Sequence, residues 1–176
     1  MKMCLFCAAL IGAFVGSPAE SQPAERVAAM HKLDLWVGSW KGAGWSLSPN
    51  GREEFTLTET VQRRAGGTVL LVEGHGATKA RDGKPCTPTH DGVVLVSYDD
   101  KARRYRWNGH DLNNGATDAD LTMLDGGVQW TTSRGGAGVA RFTIHFDERT
   151  WRETGEFSAD GKTWTQFMEV VLDRAP

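Results

Sequence analysis

Leu35-Trp36-Val37-Gly38-Ser39-Trp40-Lys41-Gly42-Ala43-Gly44-Trp45 is the stretch on which the fold turns. Its Gly-x-Trp opening heads a chain in which turn signals then arrive at nearly even spacing: Ser48–Gly51, Ala65–Gly67, Gly83–Thr89, Asp99–Lys101, Asn113–Gly115, Asp125-Gly126, Arg134–Gly136, Asp147-Glu148 and Ala159–Gly161. Between them lie short runs rich in Val, Thr, Phe, Tyr and Trp. Turns spaced by roughly 8–12 residues mark an all-β sandwich or barrel. Such turns delimit about ten strands joined as consecutive hairpins, and a meander of that kind removes its open edges by closing into a single up-and-down antiparallel β-barrel. The barrel is expected over 34–174. A linker and one short helix, Ala24 to Leu33, fill 20–33.

The chain has 176 residues and a formal net charge of −2, which fits one domain and gives no global basic field for nucleic acid. Lys2, the apolar run Met3 to Val15 and the small residues of Ser17-Pro18-Ala19 read as an export signal over 1–19, cleaved before Glu20. The alternative is an uncleaved N-terminal anchor, but a spanning helix needs about 20 apolar residues and this run is shorter. A periplasmic or secreted chain is expected, with no stable membrane insertion. Cleavage removes Cys4 and Cys7 and leaves Cys86 alone, so no internal disulfide supports the core.

Cross-strand partners must face one side, so the hairpins test one another. A two-residue Asp125-Gly126 turn sets Met123 opposite Val128 and Leu121 opposite Trp130. A tight Asp147-Glu148 turn sets Phe146 opposite Arg149, Ile144 opposite Trp151 and Phe142 opposite Glu153. A four-residue Ser158 to Gly161 turn sets Gly155 opposite Trp164, Glu153 opposite Gln166 and Trp151 opposite Met168. The inner face then reads Phe142, Ile144, Phe146, Trp151, Phe157, Trp164, Met168, Val170 and Leu172. On the other side of the barrel Phe55, Leu57, Val61, Leu70 and Val72 point inward with Gly74 and Gly76, beside Gly42 and Gly44. Those glycines either allow strong bending or hold the wall back from a ligand.

Gly38-Ser39-Trp40 followed by Gly42-Ala43-Gly44, with Arg174 ending the last strand, resembles the calycin superfamily of lipocalins, fatty-acid-binding proteins and nitrobindin-like haem barrels. The Gly-x-Trp-x-Gly-x-Gly form with Glu59-x-Val61 is most similar to the nitrobindin-like branch, and the chain from Leu33 to Arg174 is also similar to a family of exported bacterial proteins. The resemblance implies that Trp40 plugs the closed end and Arg174 packs across it in a cation–π contact. It also implies haem, held in that branch by a histidine near the C-terminal strands. Thr163 to Pro176 contains none, and His145 alternates with Phe142, Ile144 and Phe146 and so faces outward. No cofactor is therefore expected, because a haem barrel needs an axial ligand in its cavity.

Three polar side chains land on the apolar inner face: Glu59, Glu153 and Gln166. They fit an internal polar cluster, or the few convergent groups that orient a ligand, or general acid–base work by Glu59 and Glu153. His75, His90 and His110 fall at one barrel end but lack metal-ligand spacing, and read as solvated rim residues. Arg103, Arg104 and Arg106, interleaved with Tyr105 and Trp107, read as the outer face of a strand. The expected role is binding of a small apolar molecule at Gly42, Gly44, Phe55, Leu57, Glu59, Gly74, Glu153, Phe157, Trp164 and Gln166, entered past Ser48–Gly51, Ala77–Thr89 and Ser158–Gly161. No catalytic or metal residue is assigned. A calycin-type isomerase, cyclase or lyase, a haem barrel and a ligand-free structural barrel are the alternatives.

Overall fold

The computed structural model describes residues 21–79, 85–113 and 115–176, so the expected export signal lies outside the described residues. A helix α1 (Ser21–His31) and a 3-10 turn (Asp34–Trp36) lead into ten strands: β1 (Gly38–Ser48), β2 (Gly51–Arg64), β3 (Val69–Thr78), β4 (Pro88–Asp99), β5 (Arg104–Asp111), β6 (Gly115–Leu124), β7 (Gly127–Ser133), β8 (Val139–Phe146), β9 (Thr150–Ser158) and β10 (Thr165–Arg174). Each strand pairs with the next, and β1 pairs with β10, which closes the barrel. The helix begins earlier than Ala24 because Pro23 falls in its first turn, where a missing N–H leaves no bond unmade. Among the described residues no helix is long and apolar enough to cross a membrane.

One end of the barrel is sealed. Met30 of α1, with Leu33 and Trp36 from the following turn, is fully buried across it. The Trp36 ring stacks on Phe146 at 5.6 Å and meets Trp151 edge-on at 5.3 Å. Trp40 donates its indole N–H to Trp36 O at 2.9 Å. The Arg174 guanidinium lies 4.1 Å over the Trp40 ring and donates to Leu35 O, Val37 O and Glu148 O at 2.6, 2.8 and 2.7 Å. The glycine of the Gly-x-Trp opening has a physical cause here: Gly38 sits at φ 147°, and a Cβ on it would strike the Arg174 guanidinium. Tyr105 donates to Ala29 O at 2.8 Å and fastens α1 to the wall.

The registers correct the expectation in an instructive way. Met123 does face Val128, but the β6–β7 ladder runs only from Thr122–Gln129 to Leu124–Gly127, and Leu121 and Trp130 are not paired. On β8 and β9 the partners are Phe146–Trp151, Ile144–Glu153 and Phe142–Gly155. Asp147 widens that turn by accepting the N–H groups of Arg149 and Thr150, both at 2.7 Å. The slip is two residues, so each side chain keeps its face. Between β9 and β10 a bulge at Phe167 separates Gln166–Glu156 from Met168–Gly155. The extra residue reverses the alternation. Met168, Val170 and Leu172 therefore face inward as expected, whereas Trp164 and Gln166, before the bulge, are outside. Trp164 lies under the outward Arg141, 4.0 Å from ring centre to guanidinium, and exposed Gln166 donates to Met168 O at 3.2 Å.

Candidate ligand-binding site

At the end opposite the Trp40 plug the barrel is hollow. A cavity of about 410 Å³ runs down between β4, β5, β6, β7 and β8, walled by Val94, Trp107, Trp130, Phe142 and Met168. The Trp107 and Trp130 rings are stacked at 3.9 Å, and Phe142 continues the stack at 5.2 Å. The space exists because β6 and β7 part beyond Thr122–Gln129. Inward Thr117 and Thr132 line it together with Asp118 and Thr131 from the outward phase, so the cavity reaches the surface through that seam. A second lobe of about 220 Å³ lies against β2 and β10, lined by Phe55, Leu57, Glu59 and Val170 among others.

His90, Asp111, Glu153 and Met168 line both lobes, and a polar corner forms where they meet. His90 is brought inward by the alternation of β4 with Gly92, Val94 and buried Val96, and Asp111 by that of β5 with Tyr105, Trp107 and Gly109. His90 Nδ1 is 2.8 Å from Asp111 Oδ2, which orients the ring and turns Nε2 towards Glu59 Oε1 at 3.7 Å. Glu59 is 7% exposed, and among the described residues it accepts no hydrogen bond. Burial pushes its carboxyl well above the ordinary carboxylate range, and the nearby Glu153 charge pushes the same way. Burial likewise pushes Glu153 up to about 7, opposed by the indole N–H of Trp151 on the same strand. Both groups resist ionisation because they are buried, and among the described residues no lysine or arginine stands against them.

The inward glycines divide into two kinds. A Cβ on Gly42 would collide with the backbone at Val171 O and lie 2.9 Å from Leu172 Cα; one on Gly44 would lie 2.5 Å from Glu169 O and 2.8 Å from Val170 Cγ2. These two let β1 press against β10 and leave no open space, which corrects the expectation of a pocket along them. Gly74 differs. A Cβ there would meet the Glu59 carboxylate and come within 2.6 Å of His90 Nε2. Its missing side chain is the room that the polar corner occupies.

No protein-family model and no curated protein matches this sequence. Solved structures do. Rv2717c from M. tuberculosis superposes with a TM-score of 0.59 at 13% identity, covering 84% of this chain and 98% of its own. The S-type phycobiliprotein lyase CPES from Guillardia theta superposes with a TM-score of 0.57 at 12% identity, covering 87% of this chain and 96% of its own. The shared fold is a closed ten-strand antiparallel barrel. At these identities the likeness speaks for architecture.

Within the barrel the structure distributes the sequence-expected residues unevenly. Phe55, Leu57, Glu59 and Glu153 line the smaller lobe, and Gly74 backs it. Phe157 lies on an open depression at the rim with Leu47, Arg134, Ala140, Thr165 and Phe167. Glu153 faces Val170 and Ile144 across its strand rather than Gln166. The larger lobe, through the β6–β7 seam, is not where the pocket and its entrance were expected. His75 and His110 are exposed rim residues, but His90 is half-buried and faces the cavity, a correction to its reading as solvated. The alternation running back from Val96 carries His90 inward, and the one running on from Trp107 carries inward Asp111, which the sequence pattern had not singled out. Among the described residues no group of three or more His, Cys, Asp or Glu is arranged to hold a metal ion.

Proposed function

We propose that this protein is an exported barrel that binds a small, largely apolar molecule in its interior and does no chemistry on it. The observation that carries the reading is the cavity of about 410 Å³ lined by stacked Trp107 and Trp130 and by Glu153, His90 and Asp111. That size and that mixture of aromatic area with a few convergent polar groups are what small-molecule sites use. Export is proposed from Lys2, the apolar run to Val15 and Ser17-Pro18-Ala19, and is checked by N-terminal sequencing of protein from its native host.

The Gly38-x-Trp40-x-Gly42-x-Gly44 form supports a nitrobindin-like origin, but the residues do not fit haem. The last strand has no histidine, and the inward His90 turns Nε2, the nitrogen that Asp111 leaves free, towards Glu59. A second reading, acid–base chemistry on the bound molecule, rests on Glu59 and Glu153 with His90 between Glu59 and Asp111. Turnover of a bound compound by wild-type protein, abolished in Glu153→Gln, would favour it.

The binding reading is tested by tryptophan fluorescence with an apolar probe. Saturable quenching is expected, and Thr132→Phe should abolish it with the fold intact. Thr132 lines the cavity and its buried hydroxyl has no partner, so the substitution fills space without breaking a hydrogen bond. Equal quenching in the variant would overturn the assignment of the site.

A further inference from the structure

We propose that the molecule held in this barrel is a small organic cation, an amine or quaternary ammonium on an apolar body, and that its charged head sits beside Glu59 and Glu153 where the two lobes meet. The inference rests on the binding reading above and names the ligand class for that site.

The argument is one of missing charge. Among the described residues, two carboxyls at the cavity have no lysine or arginine against them. Asp111 holds His90, Asp118 holds Arg106 on the outer face, and Arg134 at the rim is already engaged. His110 alternates outward on β5 and touches only the cavity's edge. Glu59 from β2 and Glu153 from β9 remain. Their strand neighbours supply no cation: Glu59 is flanked by Trp40 and Gly74, Glu153 by Ile144 and Val170. The one base facing them, His90, stands 3.7 Å from Glu59 with its other nitrogen committed to Asp111. A lone buried carboxyl costs several kcal/mol or stays protonated; two in one cavity, each raising the cost of ionising the other, invite a positive guest.

The walls suit the apolar body of such a guest. Aromatic side chains supply large, rigid apolar contact area. Here a stack of two indoles and the Phe142 ring borders the cavity that Glu153 enters. An anionic ligand would meet carboxylates, and a purely apolar one would leave Glu59 with His90 alone.

The test compares three probes of one shape on the full chain: 2-phenylethylamine, 2-phenylethanol and 3-phenylpropanoate. At about pH 8 the amine should bind at least about tenfold more tightly than the alcohol, and the acid should not bind. Near neutral pH, calorimetry in two buffers of different ionisation enthalpy should show about one proton released per amine bound, because the cation holds a carboxyl ionised, and none for the alcohol. Glu59→Gln and Glu153→Gln should each remove most of the amine's advantage and leave the alcohol's affinity unchanged. If either variant fails to fold, the wild-type proton release and pH profile still decide. Alcohol or acid binding as tightly as the amine, or amine binding without proton release, overturns the cation and leaves the pocket standing. Silence from all three probes, together with no quenching by the apolar probe above, overturns the binding reading and the inference with it.

Discussion

The two ends of this barrel are built from the same strands and obey opposite rules. At the closed end large side chains fill the space and the charge is spoken for: Trp36, Trp40 and Trp151 interlock, and Arg174 gives its donors to three carbonyls. At the open end two indoles line empty space, two carboxyls have no lysine or arginine against them among the described residues, and a strand pair comes apart. The plugged end supplies stability that the hollow end can then forgo, and a barrel filled throughout would have no use for Glu59 or Glu153 inside.

Four measurements break or sharpen that contrast. The largest effect belongs to the plug. Trp40→Ala should cost roughly 3–5 kcal/mol in urea denaturation, the range for large aromatic truncations in cores, while probe binding in the surviving folded fraction stays unchanged. A loss below about 1 kcal/mol would mean that the closed end does not anchor the fold.

Next is the pH dependence of the hollow end. Glu153, held at about 7 in the folded state against about 4.5 unfolded, contributes stability that is complete below about pH 4.5 and lost as the pH rises through about 7. Wild-type protein should therefore be less stable at pH 8 than at pH 5, by up to about 3 kcal/mol from this group. Glu153→Gln should flatten the profile. Equal stability at the two pH values would show that the carboxyl is not desolvated.

The glycines give a paired test. Gly42→Ala drives a methyl into the β10 backbone and should cost about 1–3 kcal/mol, as overpacking does. Gly74→Ala pushes only on the Glu59 and His90 side chains. It should cost less in stability and more in ligand affinity, and the reverse ranking would contradict the division of the glycines into two kinds. The smallest effect is expected on the outer wall. Arg104 and Arg106 form ion pairs with Asp118 and Asp120 in solvent, so Arg104→Ala should change stability by less than about 1 kcal/mol. A larger loss would mean that β5 and β6 depend on that ladder.

Much of the architecture was legible in local pattern. Turn residues at even spacing announce hairpins, and Trp40 with Arg174 marks the plug, because a strand's alternation and a turn's backbone demands are short-range properties of the chain. Inward residues such as Phe55, Ile144 and Leu172 follow from period two alone, and that phase survives the two-residue slip of β9. It does not survive the bulge at Phe167, which sends Trp164 and Gln166 outside.

The site was decided elsewhere. Glu59 and Glu153 were visible as inward polar residues, but their company was not. The meeting of β2, β4, β5 and β9 at His90, Asp111, Glu59 and Glu153 depends on loop widths and on how the barrel closes. Whether a glycine makes a pocket or a tight strand contact depends on what stands opposite: for Gly42 the β10 backbone, for Gly74 a carboxylate and an imidazole. Which residues can face the interior is written in the local pattern, since each strand alternates independently of its neighbours. Which of them face one another across it follows from the closed sheet as a whole, because the sheet sets the distance between them.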